Sequence, residues 1–293
     1  MIEEIEARTL LSRVSHSEWF GADYNMNLYR GCCHGCIYCD SRSECYHVEQ
    51  FDRVRVKRNA VALLRRELAA KRACGVISIG AMSDSYNPFE RELCVTRAAL
   101  DAIAEAGFGI SLDTKSALAA RDADLFRRIR DGHSAIVKLT VTSASDALSR
   151  LLEPHVSPSS ERFAALRALA GAGIYCGVLL MPILPFITDS EENIREIIRK
   201  TAEAGGKFVF AMYGVTLRTN QRQYFFDHLD EAFPGLRSRY QRTYGNAYYC
   251  PAPNHERLKS LLQSECRAHG LLWRMPDIIK ACQTPRHEQL SLF

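Results

Sequence analysis

The chain has 293 residues, 47% of them apolar and 25% charged, with a formal net charge of +4. That balance excludes a disordered or fibrous chain. The most apolar stretch, 177–187, is interrupted by Pro182 and Pro185 and is shorter than the ~20 apolar residues a membrane span needs. Eleven cysteines, an odd number in a chain this large, argue against a disulfide framework. The acidic start without an apolar signal segment makes the cytoplasm the expected location.

In chain order, a first strand is expected near 24–28. Helical apolar spacing then marks 60–72, 96–106, 122–130, 160–170 and 191–204. Short apolar runs at 76–79, 109–112, 136–141, 174–181 and 208–212 alternate with these helices and read as strands. Gly107, Gly171 and Gly205 look like helix stops. This order predicts an α/β fold with a parallel sheet and right-handed crossovers. Six strand–helix units are too few for a closed eight-fold barrel. The expectation is therefore a partial (β/α)6 barrel of TIM type, with functional loops at the C-terminal ends of its strands. After about residue 215 the rhythm changes to helices separated by Pro234-Gly235, Gly245-Asn246, Pro251 and Pro253. The expected organisation is an N-terminal extension (1–23), a barrel core (24–215), a helical C-terminal region (216–284) and a tail (285–293).

That C-terminal region is basic. Residues 237–286 hold nine Lys or Arg against three acids. Arginine's planar fork suits phosphate, so nucleic acid is one reading and a solvated helical surface the other. Tyr244, Tyr248 and Tyr249, near Arg239 and Arg242, would stack on bases in the first reading and pack helices in the second.

The chemistry is concentrated in Tyr29-Arg30-Gly31-Cys32-Cys33-His34-Gly35-Cys36-Ile37-Tyr38-Cys39, directly after the first strand. Cys32, Cys36 and Cys39 form C-x3-C-x2-C. Three thiolates on one tight loop can hold three irons of a [4Fe–4S] cluster and leave the fourth open. Gly31 and Gly35 let the backbone wrap closely around such a cluster. Zinc, with His34 or Cys33 as a fourth ligand, and buried free cysteines are the alternatives. Cys250, Cys266 and Cys282, evenly spaced, suggest a second cluster but match no cluster motif.

This motif, with an aromatic residue before its last cysteine, resembles the radical S-adenosylmethionine superfamily over about 24–212. Gly80-Ala81-Met82-Ser83-Asp84-Ser85-Tyr86-Asn87-Pro88, Asp113-Thr114-Lys115, Leu152-Glu153-Pro154, Ser160-Glu161-Arg162, Ala170-Gly171-Ala172-Gly173 and Met181-Pro182-Ile183 follow in turn. This succession is similar to the spore photoproduct lyase, or DNA repair photolyase-like, branch. The resemblance implies two cofactors, a [4Fe–4S] cluster on Cys32, Cys36 and Cys39 and S-adenosylmethionine, with electrons from a low-potential donor. It implies that Ser83 and Asp84 meet the methionyl amino group and that Lys115 pairs with the carboxylate. Thr140 and Thr142 would touch the ribose or be structural, Glu153 would hydrogen-bond the cofactor or shape its loop, Phe210, Ala211 and Met212 would line the adenine through backbone atoms or fill the core, and Met181 is a further cofactor-binding candidate. Tyr38 and Cys33 are the catalytic candidates. The chain departs from the branch at Ala81, where a hydrogen-donor cysteine is expected, and at Asp40, where a tyrosine is expected. Cys33, Cys45, Cys74, Cys94 and Cys176 are substitute donors by sequence proximity alone. Expected activity is radical chemistry on nucleic acid, with damaged DNA first. RNA, a peptide, a small metabolite, or a non-catalytic DNA- or clamp-associated role are the alternatives.

The chain ends Gln289-Leu290-Ser291-Leu292-Phe293. This pentapeptide resembles the bacterial sliding-clamp binding motif, which implies docking of Gln289 and the Leu and Phe side chains on the DNA polymerase clamp. A tail folded back on the protein is the alternative.

Overall fold

The structure, a computed structural model, describes residues 2–14 and 19–283. The chain opens with β1 (Glu3–Ile5), β2 (Leu11–Arg13), β3 (Tyr24–Met26) and β4 (Tyr29–Arg30). The cysteine loop follows, then β5 (Arg55–Lys57) and α1 (Ala60–Ala69). Strands and helices alternate from there: β6 (Val76–Ile79), α2 (Glu90–Leu93), α3 (Val95–Glu105), β7 (Gly109–Thr114) and α4 (Ala123–Gly132). Next come β8 (Ala135–Thr140), α5 (Asp146–Leu152), α6 (Ser159–Gly171), β9 (Tyr175–Leu180), α7 (Glu191–Glu203) and β10 (Val209–Ala211). The C-terminal region holds β11 (Gly214–Thr216), α8 (Gln221–Ala232), α9 (Leu236–Tyr244), β12 (Tyr249–Pro251), α10 (His255–Ala268) and α11 (Met275–Cys282).

The main sheet runs β10-β9-β8-β7-β6-β3-β2, with β2 antiparallel to β3 and every other neighbour parallel. Six parallel strands therefore lie in sequence order, as a partial TIM-type barrel requires. β10 and β2 form the two edges, so the barrel stays open. The β10 edge is capped by a bridge between Phe208 and Leu272. A small sheet, β1-β5-β4, frames the entry to the cysteine loop. Residues 1–23 thus contribute strands to both sheets in their described part. The β11–β12 pair was not legible in the sequence: its three-residue strands are joined by two whole helices and carry no local turn signal.

Strand parity sorts the two faces of the sheet. Ile77, Ile79, Ile110, Leu112, Val137, Leu139, Val178 and Leu180 pack outward against the helices in one core. Helix α1 meets this core with Ala60, Leu63, Leu64 and Leu68, and α7 with Ile194, Ile197 and Ile198, the spacing of a single helical stripe. Ser190 caps α7 by accepting from the Asn193 N–H at 3.2 Å. The inner face is filled from both ends of the chain. Phe20 from the N-terminal segment and Ile278 from α11 pack with Ile136, Leu179 and Phe208. Gly171 is the last residue of α6, and the left-handed stop moves to Gly173 (φ 78°). No helix among the described residues is long and apolar enough to cross a membrane.

Candidate active site

Strand β4 feeds the chain into the thiol loop, where the Cys32 N–H donates to the Phe51 carbonyl at 2.8 Å. Gly31 sits between (φ 80°). A Cβ there would lie 2.6 Å from the Phe51 oxygen and 2.7 Å from that of Arg53, so only glycine fits. Cys32, Cys36 and Cys39 line one small cavity at the C-terminal ends of β6 and β7, together with Lys115 and Thr140. A larger cleft, about 980 Å³, lies elsewhere along α7, and its Arg195, Arg199 and Lys200 are already paired with glutamates. Its size says less than the donor chemistry of the small cavity.

The residues present fit an iron–sulfur cluster. Among the described residues no three His, Cys, Asp or Glu converge on a single ion position. Three thiols spread around one cavity instead match a cluster, in which each thiolate takes its own iron. Burial, with Asp84 nearby, pushes the Cys32 thiol up to about 12, and burial raises the Cys36 thiol well above its ordinary value. Metal-free, both are protonated at neutral pH, so iron loading releases protons. Half-buried Lys115 supplies the counter-charge. Burial opposes its ammonium, but Cys36, Glu153 and Cys39 outweigh that and raise its pKa.

Beneath the loop lies a fully buried ionic network. The Tyr38 hydroxyl donates to Glu153 Oε1, and Thr142 Oγ1 donates to the same oxygen at 3.3 Å. Arg162 Nη2 stands 2.5 Å from Glu153 Oε2, close as an ion pair though off-line as a hydrogen bond. Arg162 also donates to the carbonyls of Thr140 (2.9 Å) and Ser157 (2.7 Å). Burial works against the Glu153 carboxylate, but Arg162 and Lys115 overcome it and hold its pKa below the ordinary value. Burial and Glu153 push the Tyr38 phenol well above its ordinary range, so it stays a donor. Arg162 has no role legible in the sequence. Its helical apolar neighbours Phe163, Leu166 and Leu169 hide a guanidinium whose partner lies on another element.

At the end of β6, the Ser83 hydroxyl donates to the Gly31 carbonyl at 2.5 Å and ties the thiol loop to the sheet. Asp84 accepts from the Tyr86 N–H (2.9 Å), Thr114 Oγ1 (2.7 Å) and the Lys115 N–H (2.8 Å). His34 Nδ1 stands 3.4 Å from Asp84 Oδ2, and burial lowers the His34 pKa, so the contact is with a neutral ring. The Asp84 carboxylate is thus heavily used in holding Thr114 and Lys115 at the rim. Sequence reasoning missed the His34–Asp84 contact and the pair of Asp113 with Lys138, 2.7 Å apart.

Other expected residues scatter. Met181 and Met212 are half-buried at the ends of β9 and β10 and do not line the thiol cavity. Cys33 packs against the outer core instead of this cavity. Cys176 is buried under α6, Cys45 and Cys74 are exposed, and half-buried Cys94 lies beside Arg121. None of these five thiols lines the cavity. Cys250, Cys266 and Cys282 fall in three different packing clusters, so they do not form a second metal site. Tyr244 packs against Phe186 and Tyr240 and donates to the Pro251 carbonyl at 2.5 Å, whereas Tyr248 and Tyr249 remain exposed. The residues 289–293 lie outside the described residues.

A sheet of six parallel strands whose C-terminal rim presents three loop thiols beside a lysine defines the class, an α/β barrel built around a cluster. The family model of the radical SAM superfamily matches residues 26–199, and the chain belongs to that superfamily. Its cofactors are a [4Fe–4S] cluster and S-adenosylmethionine. An uncharacterized protein of Mycobacterium tuberculosis is 30% identical over 263 residues, covering 87% of this chain and 77% of that one. An uncharacterized protein of Methanocaldococcus jannaschii is 34% identical over 179 residues, covering 60% of this chain and 66% of that one. Spore photoproduct lyase complexed with dinucleoside spore photoproduct has the same fold, with a TM-score of 0.66, 17% identity, and coverage of 92% of this chain and 80% of that one.

Proposed function

We propose that this radical SAM enzyme acts on nucleic acid, with a damaged base in DNA as the leading substrate. The observation that carries the substrate reading is the fold likeness. It extends over 92% of this chain, well past the barrel into the basic C-terminal region, and the relative's structure holds a dinucleoside lesion. A low-potential donor would supply electrons. The tail 289–293 would tether the enzyme to a sliding clamp and raise its concentration at DNA.

In this reading Cys32, Cys36 and Cys39 hold the cluster. The chemistry supplied by the reduced cluster with S-adenosylmethionine is a 5′-deoxyadenosyl radical that can take hydrogen from an unreactive C–H bond. Lys115 pairs with the methionyl carboxylate. Ser83 and Asp84 face its amino group, with Asp84 chiefly positioning Lys115 through its backbone. Thr140 shapes the ribose side, Glu153 holds the thiol loop from beneath through Tyr38, and Met181 and Met212 are further cofactor-binding candidates. Tyr38, clamped by Glu153, fixes the floor of the thiol loop. Ala81 lines the cavity where the resembled branch has its donor thiol, and among the described residues the thiols lining it are Cys32, Cys36 and Cys39. Alanine at that position separates the proposed reaction from one that ends by hydrogen transfer from a thiol at residue 81.

The test is anaerobic reconstitution, an iron and sulfide count, then reduction with S-adenosylmethionine in the presence of intact and ultraviolet-damaged DNA. About four irons and damage-stimulated 5′-deoxyadenosine, absent in Cys36→Ala, support the proposal. Turnover indifferent to any nucleic acid sinks the substrate assignment. Clamp pull-down with and without 289–293 tests the tail: equal capture by both forms removes it.

A further inference from the structure

We infer that Asp113, with Trp19 beside it, forms a nucleobase-binding subsite on the barrel side of the thiol cavity. This rests on the nucleic-acid reading above. Asp113 has the opposite strand parity to Ile110 and Leu112, which pack outward, so its side chain faces the barrel interior. It lines the same cavity as the three thiols. Behind it, fully buried Lys138 stands 2.7 Å from Oδ1, donates to Ser111 Oγ at 2.6 Å and lies 4.2 Å from the centre of the Phe20 ring.

The pair is neutral as a unit, so it does not select a cationic ligand. It offers one outward carboxylate oxygen, which suits an uncharged N–H donor. That oxygen, Oδ2, meets Trp19 Nε1 at 3.5 Å, longer than a good N–H···O bond. Asp84, the other carboxylate of the wall, is engaged by Tyr86, Thr114 and Lys115. The half-exposed Trp19 ring is held at near right angles by Phe20 (5.1 Å, 85°) and Phe210 (5.7 Å, 87°), so its plane is set by packing. A fixed aromatic ring next to an acceptor that carries only one long hydrogen bond recognises a flat heterocycle with a ring N–H: the ring stacks and the N–H donates.

The test measures binding of dye-labelled DNA strands by fluorescence anisotropy. It uses the cluster-loaded protein with S-adenosylmethionine. Otherwise identical strands carry a central abasic site, thymine, guanine, N3-methylthymine or N1-methylguanine. Wild type should bind the thymine or guanine strand about tenfold tighter than the abasic strand, and methylation of the ring nitrogen should erase the gain. Trp19→Leu, and Asp113→Ser combined with Lys138→Met so that no buried charge is stranded, should each bring the base-bearing strand down to the abasic level. Affinity for the abasic strand and for S-adenosylmethionine should not change. The methylated strands keep the test independent of any variant that fails to fold. Equal binding of all strands by wild type overturns the subsite and leaves the nucleic-acid reading standing, whereas binding of none overturns both. Loss of S-adenosylmethionine affinity in the variants, with base discrimination intact, would give the subsite to the cofactor's adenine instead.

Discussion

Removing one charge of a fully buried ion pair strands the other. Glu153→Gln or Arg162→Met should each cost about 3–5 kcal/mol in urea denaturation, while the double substitution recovers most of that. Additive losses would show that the two side chains do not act as a unit. His34 gives a pH signature in the iron-free protein. Burial lowers its folded pKa below the ordinary 6.5. The unfolded state therefore binds more protons just below that value, and stability falls as pH drops through about 6.5. Melting temperatures at pH 5.5 and 7.5 should differ more in wild type than in His34→Gln. Equal differences would remove His34 as the source. The His34–Asp84 contact is not legible in the sequence, because Asp84 comes from the end of β6, a separate element.

At the scale of elements, the thiol loop depends on backbone geometry as much as on cysteine. Gly31→Ala forces a side chain onto the Phe51 and Arg53 carbonyls at a positive φ. Bound iron should drop severalfold while far-ultraviolet circular dichroism stays native, since the barrel strands and helices form most of the outer core. Full iron loading in the alanine variant would show that the loop can shift. The alternating strands and helices were legible because apolar spacing switches between the two periods at each boundary. The β11–β12 pair and the antiparallel β2 were not, since three-residue strands gain their stability only from partners far along the chain.

For the whole molecule, the inner face of the open barrel is filled by the two ends of the chain, Phe20 and Ile278. Ile278→Ala should destabilise the protein by about 2–4 kcal/mol, as for other core truncations. A loss under 0.5 kcal/mol would mean that α11 is a detachable appendage. The basic C-terminal region carries its own expectation. If it meets phosphates, affinity for an abasic strand should fall steeply between 50 and 200 mM salt. A flat salt response would make that charge a solvated surface.

Local information was enough for the six-strand order, the outward-packing stripes and the three thiols that line one cavity. Each of these is written in spacing: period two, period three to four, or C-x3-C-x2-C on one loop. Only the tertiary structure decided which polar residues share the cavity. It engaged Asp84 in bonds to Tyr86, Thr114 and Lys115, turned Cys33 to the core, seated Arg162 on Glu153 and aimed Asp113 inward over Lys138. Buried charges and hydrogen bonds must be satisfied by whatever the fold brings near. Those partners lie up to 115 residues apart in the chain, as Tyr38 and Glu153 do, and no local pattern encodes such pairings.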